Sequence, residues 1–218
     1  MVSRLSANIR TLLAGGDLES LKALAVGGQP VVRGLVSLLY DEDAPARWKA
    51  ISALGQVCAT LERSGRSERV HDLVRRLFWM MNDESGGSGR HLPEAVGEIL
   101  YCVPVLLPAF GPMLATHLDI DLYTAGVCWA VGRMSQRDRR LFAFVLPEVR
   151  KDYLGHEAPE IRALAAWCLG WAKDEDARPL LAELVADSAE AVVFEDGELR
   201  KASVGQLATE ALGRLNRP

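Results

Sequence analysis

Apolar and small residues recur along the chain in five similar segments, each centred on a glycine: ISALGQV, EAVGEIL, WAVGRM, WCLGWA and EALGRL. The glycines are Gly55, Gly97, Gly132, Gly170 and Gly213, spaced 35 to 43 residues apart. In every segment a small residue stands two positions before the glycine, and an aliphatic residue stands directly before it. An internal repeat of this length predicts a chain built from stacked pairs of helices.

The apolar positions of each segment define one face of a helix. The positions five, two and one before the glycine and two after it share one stripe when successive residues turn by about 100°. We predict that this stripe is buried and that its small residues let neighbouring helices approach closely. The apolar segments between the repeats, such as VVRGLVSLLY, predict the other helix of each pair. Pro45, Pro159 and Pro179 stand where a helix start tolerates proline.

One segment near the C-terminus has the alternation of strands rather than of helices. In AVVFEDGELRKASV an Asp-Gly pair stands at 196–197, and Asp-Gly is a favoured two-residue hairpin turn. We predict strands at about 191–195 and 198–202, with a disordered loop as the alternative. Ser203 is a candidate N-cap for the last helix.

Two of the repeat segments, ARWKAISALG and EIRALAAWCLGWAKDEDARPLLAELVAD, resemble HEAT-type repeats, especially the phycobilin-lyase-like type. Arg47 and Arg162 match the arginine of that pattern, and Asp187 matches its aspartate. The resemblance covers about residues 18–215. It implies a single all-α domain over residues 1–218, a right-handed α-α superhelix (HEAT/armadillo-like solenoid) of about five or six helix pairs. Residues 1–42 form a degenerate capping repeat, and the hairpin is a short insertion near 191–202.

The segment FWMMNDESGG is similar to one found in a narrower group of small bacterial HEAT-repeat proteins, which carries no established activity. Because Pro93 stands four residues before Gly97, we expect the third repeat helix to begin near Leu92 or Pro93, after an enlarged turn. The candidate partner-binding residues of this turn are Asn82, Asp83, Glu84, Ser85, Gly86, Gly87 and His91.

Two other interpretations of this turn stay open. One is a turn stabilised by its own side chains. The other is a metal site in which Asp83, Glu84, His91, Glu94 and Glu98 converge. A phosphate site is disfavoured, because two acids stand in the turn and the P-loop pattern is absent.

A second face of each repeat helix lies opposite the buried stripe, at the positions three before and one after the glycine. These residues are Ser52, Gln56, Glu94, Glu98, Trp129, Arg133, Trp167, Trp171, Glu210 and Arg214. The resemblance implies that this face lines a concave binding surface. We interpret it as a site with an aromatic floor and an acidic end, suited to a peptide or helix that carries a basic residue. The alternative is that the tryptophans pack against neighbouring helices as part of the core.

Charge and cysteine content narrow the classes of function. The net charge is −4 and the basic residues are dispersed, which argues against nucleic acid, although helical-repeat nucleic-acid binding remains an alternative. The four cysteines include no C-x-x-C pair, as expected of buried thiols in a reducing compartment. No apolar run approaches about 18 residues. We therefore expect a cytoplasmic protein that does not enter a membrane.

The enzyme alternatives come from resemblance. Deoxyhypusine hydroxylases are HEAT-like and hold two irons on His-Glu pairs in four repeats, whereas His156–Glu157 is the one such pair here. A phycobilin-lyase-like or metal-binding enzyme remains the alternative, although no residue pattern singles out a bilin. Our hypothesis is a non-catalytic scaffold that binds another protein or peptide, without cofactor or metal. The oligomeric state is left open.

Overall fold

The computed structural model describes residues 2–82 and 89–216, with side chains from residue 8 onward. This part of the chain is mostly helical, as predicted, and carries one short antiparallel hairpin. It divides into two compact units, one ending at Leu106 and one beginning at Leu107.

The first unit contains six described α-helices. They are α1 (Val2–Ala14), α2 (Leu18–Val26), α3 (Val31–Ser37), α4 (Ala44–Arg63), α5 (Ser67–Met81) and α6 (Leu92–Cys102). The two repeat helices α4 and α6 pack directly on each other, and α5 contacts both. The repeat helix α6, which carries Gly97, begins where the sequence predicted, at Leu92.

The second unit contains the remaining helices and the hairpin. They are α7 (Leu107–Ala115), α8 (Thr124–Asp138), α9 (Leu146–Glu148), α10 (Pro159–Ala172), α11 (Arg178–Leu184), β1 (Glu190–Glu195), β2 (Glu198–Ser203) and α12 (Val204–Leu215). A π-helical turn, Val149–Tyr153, continues α9. The repeat helices α8, α10 and α12 pack side by side in that order.

The predicted apolar stripe forms the core. Every stripe residue of the five repeats is buried except Leu212, which is half-buried. The prediction from periodicity that this stripe is buried is therefore confirmed. Pro45, Pro159 and Pro179 all stand in the first turn of their helices, where proline removes no hydrogen bond.

Three of the five repeat glycines, Gly55, Gly132 and Gly170, mark points where consecutive repeat helices touch. A Cβ on Gly55 would lie 2.9 Å from Glu98 Cγ on α6. A Cβ on Gly132 would lie 2.5 Å from the Trp167 ring on α10, and one on Gly170 would lie 2.7 Å from Ala211 Cα on α12. Each of these glycines thus makes room for the next repeat helix of its unit.

The arginine and aspartate of the repeat pattern fasten loops to helices. Arg162 of α10 donates from Nε to Asp187 Oδ2 at 2.9 Å, and from Nη1 to the carbonyl oxygen of His156 at 2.7 Å. Arg47 of α4 donates likewise to the carbonyl oxygen of Asp41 at 2.6 Å. These residues therefore have a structural role in the described fold.

The hairpin is one residue longer at its open end than the sequence predicted. β1 pairs with β2 from Glu190–Ser203 to Glu195–Glu198. Asp196 and Gly197 have φ angles of 53° and 87°, which identifies the two-residue turn with positive φ at both positions. Ser203 ends β2 and caps α12 in a reciprocal capping box with Gln206, as its position suggested.

No single helix in the described residues is both long and apolar enough to cross a membrane, although Leu92–Cys102 with Pro104–Ala115 matches a broken span by length and composition.

Candidate functional site

The predicted binding face is covered rather than open. Of the ten residues at the positions three before and one after the repeat glycines, none is exposed. Glu94, Glu98, Trp129 and Trp167 are fully buried, and the other six are half-buried. The expectation of an open face is therefore wrong at these four buried positions, and the cause of their burial differs between the two units.

In the first unit, the side chains of Glu94 and His91 lie within hydrogen-bond distance of each other at the start of α6. His91 Nδ1 lies 3.0 Å from Glu94 Oε1. The Glu94 side chain is 7% exposed and the His91 side chain is 23% exposed. The second carboxylate oxygen, Glu94 Oε2, is buried and has no hydrogen-bond partner among the described residues.

Glu98 stands one helical turn after Glu94 on α6. Its Cγ lies against Gly55 of α4, and this packing explains why the side chain is buried. The thiol of Cys102 donates to Glu98 Oε1 at 3.5 Å. Burial raises the pKa of the Cys58 thiol on α4, and the neighbouring Cys102 raises it further. Cys58 is therefore an unreactive core residue, as the sequence predicted for the cysteines.

The enlarged turn before α6 is described only at its two ends. Asn82 is exposed, caps the C-terminus of α5 and donates from Nδ2 to the carbonyl oxygen of Phe78 at 2.9 Å. The predicted site residues Asp83, Glu84, Ser85, Gly86 and Gly87 lie outside the described residues. Two of the five proposed metal ligands are among them. Within the described ranges, no three His, Cys, Asp or Glu side chains are placed to hold a metal ion.

In the second unit, three tryptophans form one continuous cluster on α8 and α10. The rings of Trp129 and Trp167 are parallel, with centroids 6.1 Å apart and planes 4° from each other. Trp167 and Trp171 meet edge to face with centroids 6.2 Å apart. The Arg214 guanidinium of α12 lies 4.5 Å from the centre of the Trp171 ring. The sequence therefore placed these residues correctly on one face.

The hairpin covers this cluster, so Trp129 and Trp167 are core residues, which is the alternative that the sequence left open. Trp129 Nε1 donates to the carbonyl oxygen of Phe194 at 2.8 Å. Trp167 Nε1 and Trp171 Nε1 both donate to Glu195 Oε1, at 2.9 Å and 3.1 Å. The chain between α11 and α12 thus folds back over the tryptophans and satisfies each indole N–H.

Glu195 also receives two arginine side chains. Arg214 Nη2 donates to Oε1 at 2.7 Å, and Arg200 Nη2 donates to Oε2 at 3.0 Å. Burial raises the pKa of Glu195, but hydrogen bonds from Arg200 and Trp167 and the charge of Arg214 together hold it below its usual value. The carboxylate is therefore charged at neutral pH.

Arg133 extends the predicted face along α8. Its Nη1 donates to Gln136 Oε1 on the same helix at 3.4 Å. Glu210 of α12 pairs with Arg200 and lies 3.7 Å from Arg214. Arg133 and Glu210 are thus paired with neighbouring side chains of the same unit.

Sequence reasoning missed Phe194 and Glu195. The Asp-Gly pair predicted the hairpin that carries them, but no local pattern showed where the hairpin would dock. The contact between Trp129 and Phe194 joins residues 65 positions apart. Burial of Glu195 by its four side-chain donors is a tertiary property that a single repeat segment does not encode.

Comparisons with known proteins agree with this architecture. Residues 107–199 match the family model described as HEAT repeats. An uncharacterized protein of Archaeoglobus fulgidus is 26% identical over 118 residues, which cover 54% of this chain and 61% of that protein. The chain thus spans about three fifths of the length of this relative.

Two solved structures resemble the whole chain. A designed armadillo repeat protein in complex with the peptide (KR)4 has a TM-score of 0.62 at 16% identity, covering 98% of this chain and 92% of that one. A second designed armadillo repeat protein has a TM-score of 0.56 at 18% identity, covering 98% and 94%. The repeated helices, their glycine contacts and these similarities show a HEAT/armadillo-like helical repeat fold with an inserted hairpin.

Proposed function

We propose that this protein is a non-catalytic scaffold that binds a segment of another protein, and that this segment places a basic side chain against Glu94. The observation that carries the proposal is the buried Glu94 Oε2, which has no hydrogen-bond partner among the described residues. His91 occupies the other oxygen of the same carboxylate. A lysine or arginine of a partner would complete this site.

The cost of an incomplete carboxylate favours a cationic ligand. A buried polar group without a partner costs about 1–3 kcal/mol, and more when it is charged. An arriving ammonium or guanidinium group relieves that cost through a charge-assisted hydrogen bond. His91 is partly exposed and therefore marks the side from which a partner would approach.

Glu98 contributes through its position behind Glu94 and not through direct contact with the segment, because its own side chain is buried and accepts from Cys102. It adds a second carboxylate one turn along α6, on the same side as Glu94. The structure that binds the peptide (KR)4 supports the idea that a fold of this type can accommodate a basic peptide.

The remaining candidate binding residues fall into two groups, one next to α6 and one in the second unit. Asn82 and residues 83–87 precede α6 and are proposed to contribute to the edge of the same site. The second unit holds the other group, which is Arg133, Trp129, Trp167 and Trp171. There the hairpin packs on the tryptophans, so their rings are not available to a partner. The phycobilin-lyase-like subtype stays a prediction from the repeat segments.

The proposal is tested by titrating a fluorescently labelled (Lys-Arg)4 peptide against the full chain. We expect Glu94→Gln to weaken binding about tenfold, because one charged hydrogen bond is lost. Glu68→Gln is the matched control, since Glu68 is an exposed acid on α5 and its substitution changes the net charge equally. We expect the control to bind as the wild type does.

Two results would overturn this assignment. Equal weakening by Glu94→Gln and Glu68→Gln would show that only net charge attracts the peptide. Stoichiometric Zn²⁺ binding that Glu94→Gln abolishes, together with no peptide binding, would make the site a metal centre.

A further inference from the structure

We propose that Trp129, Trp167, Trp171 and Arg214 form a receptor for an extended segment that carries a carboxylate, and that Phe194–Glu195 of the hairpin occupies this receptor as an internal ligand. While the hairpin is docked, this surface is closed to other proteins. The inference concerns the second unit alone and is independent of the site at Glu94.

The receptor recognises the hairpin through directed polar contacts. Its donors come from three helices: Trp129 on α8, Trp167 and Trp171 on α10, and Arg214 on α12. They donate hydrogen bonds to one backbone carbonyl oxygen and to one carboxylate oxygen of β1. These contacts also satisfy the three indole N–H groups, which burial under the hairpin would otherwise leave without partners.

The chemistry of the receptor specifies an acidic ligand. Three indole N–H groups and a guanidinium are all donors, so the matching group must accept several hydrogen bonds and carry negative charge. Arg214 Nη1 is also buried and has no hydrogen-bond partner among the described residues. The surface therefore offers a donor that the hairpin leaves unused.

The covalent connection explains why the internal ligand stays bound. β2 runs directly into α12, and residues 185–189 join α11 to β1. Short connections of this kind give an effective concentration on the order of millimolar. Val193 and Phe194 are buried beside the contact and add apolar area. A free partner must exceed this advantage before it can enter.

Hydrogen exchange on the full chain tests whether Glu195 holds the hairpin on the receptor. We expect Glu195→Gln to speed exchange of the β1 and β2 amides about tenfold, as loss of charged hydrogen bonds implies. Exchange in α8 and α10 should stay unchanged. Glu190→Gln is the control, because Glu190 is an exposed acid at the far end of β1. Equal acceleration in α8 and α10, or no acceleration in the hairpin, overturns the proposal.

A peptide added in trans tests whether the surface is a receptor. The probe is a labelled peptide of residues 189–203, AEAVVFEDGELRKAS. We expect no binding to the wild type and saturable binding to a chain carrying Phe194→Ala and Glu195→Ala. A peptide with Glu195→Gln should bind that chain about tenfold more weakly.

The control for folding keeps this second test decisive. The peptide is also offered to the Glu195→Gln chain, which retains the shape of the side chain. If both variants are as helical as the wild type by circular dichroism and neither binds the peptide, the receptor does not exist. Equal binding of the native peptide and the peptide carrying Glu195→Gln likewise overturns the assignment of a carboxylate ligand.

Discussion

Trp167 Nε1 donates a hydrogen bond to Glu195 Oε1 at 2.9 Å, and this contact joins the repeat face of α10 to the hairpin that covers it. The same carboxylate oxygen receives Trp171 and Arg214. One acidic side chain thus links two repeat helices, α10 and α12, through the inserted hairpin. The arrangement predicts how stability should respond to pH.

The stability contributed by Glu195 should be lost in acid. Because the folded-state pKa of Glu195 is held below its usual value, the contribution is present above the unfolded-state pKa of about 4.5 and disappears as pH falls through the lower folded-state value. Thermal unfolding from pH 7 to pH 3 should show a difference in melting temperature between wild type and Glu195→Gln, and this difference should become smaller in acid. A difference that stays constant to about pH 3 would contradict this account. Glu190→Gln should show no difference from wild type at any pH.

Substitution by alanine should destabilise the protein far more at Gly132, which lies at a helix contact, than at Gly213 in the last helix. A Cβ at Gly132 would lie 2.5 Å from the Trp167 ring, whereas one at Gly213 would meet nothing within 4 Å. We expect Gly132→Ala to lower the free energy of unfolding by about 2–3 kcal/mol. Gly213→Ala should leave it unchanged or raise it by up to about 1 kcal/mol.

Urea unfolding followed by circular dichroism measures both glycine variants. If the dependence of the unfolding free energy on urea concentration is the same for both variants, a shift in the transition midpoint reports a change in stability. Similar midpoints for the two variants would mean that the glycines are retained for a reason other than close helix contact.

The hairpin turn should depend on Gly197. Its φ of 87° is a backbone angle that residues with a side chain rarely adopt. We expect Gly197→Ala to destabilise the hairpin by about 1–2 kcal/mol, and Asp196→Asn to have little effect, because asparagine also accepts positive φ. Amide hydrogen exchange in β1 and β2 measures the change locally. Unaltered exchange in Gly197→Ala would show that docking, and not the turn, sets hairpin stability.

Much of the fold could be predicted because its determinants are local in sequence. The spacing of small and aliphatic residues around Gly55, Gly132 and Gly170 defines the buried stripe, and the Asp196–Gly197 pair defines the hairpin turn. These patterns follow from helix and turn geometry, so one sequence is enough to recognise them.

The candidate site could be predicted only in part. Helical periodicity correctly put Trp129, Trp167 and Trp171 on one face. It shows which face of a helix carries a side chain, but not whether that face is exposed to solvent. What covers a face depends on segments distant in sequence, and here the cover comes from Phe194 and Glu195. The burial of Glu98 was missed for a similar reason, since periodicity alone does not show how closely α4 and α6 approach.

The most direct test of the proposed scaffold function is a double-mutant cycle between Glu94 and a (Lys-Arg)4 peptide. Each basic residue of the peptide is replaced in turn by norleucine, and binding is measured to wild type, Glu94→Gln and the control Glu68→Gln. We predict about tenfold coupling with Glu94 at one peptide position and almost none elsewhere, because a single basic side chain reaches the buried carboxylate. Coupling spread evenly over all positions, or equal for Glu94 and Glu68, would contradict the account.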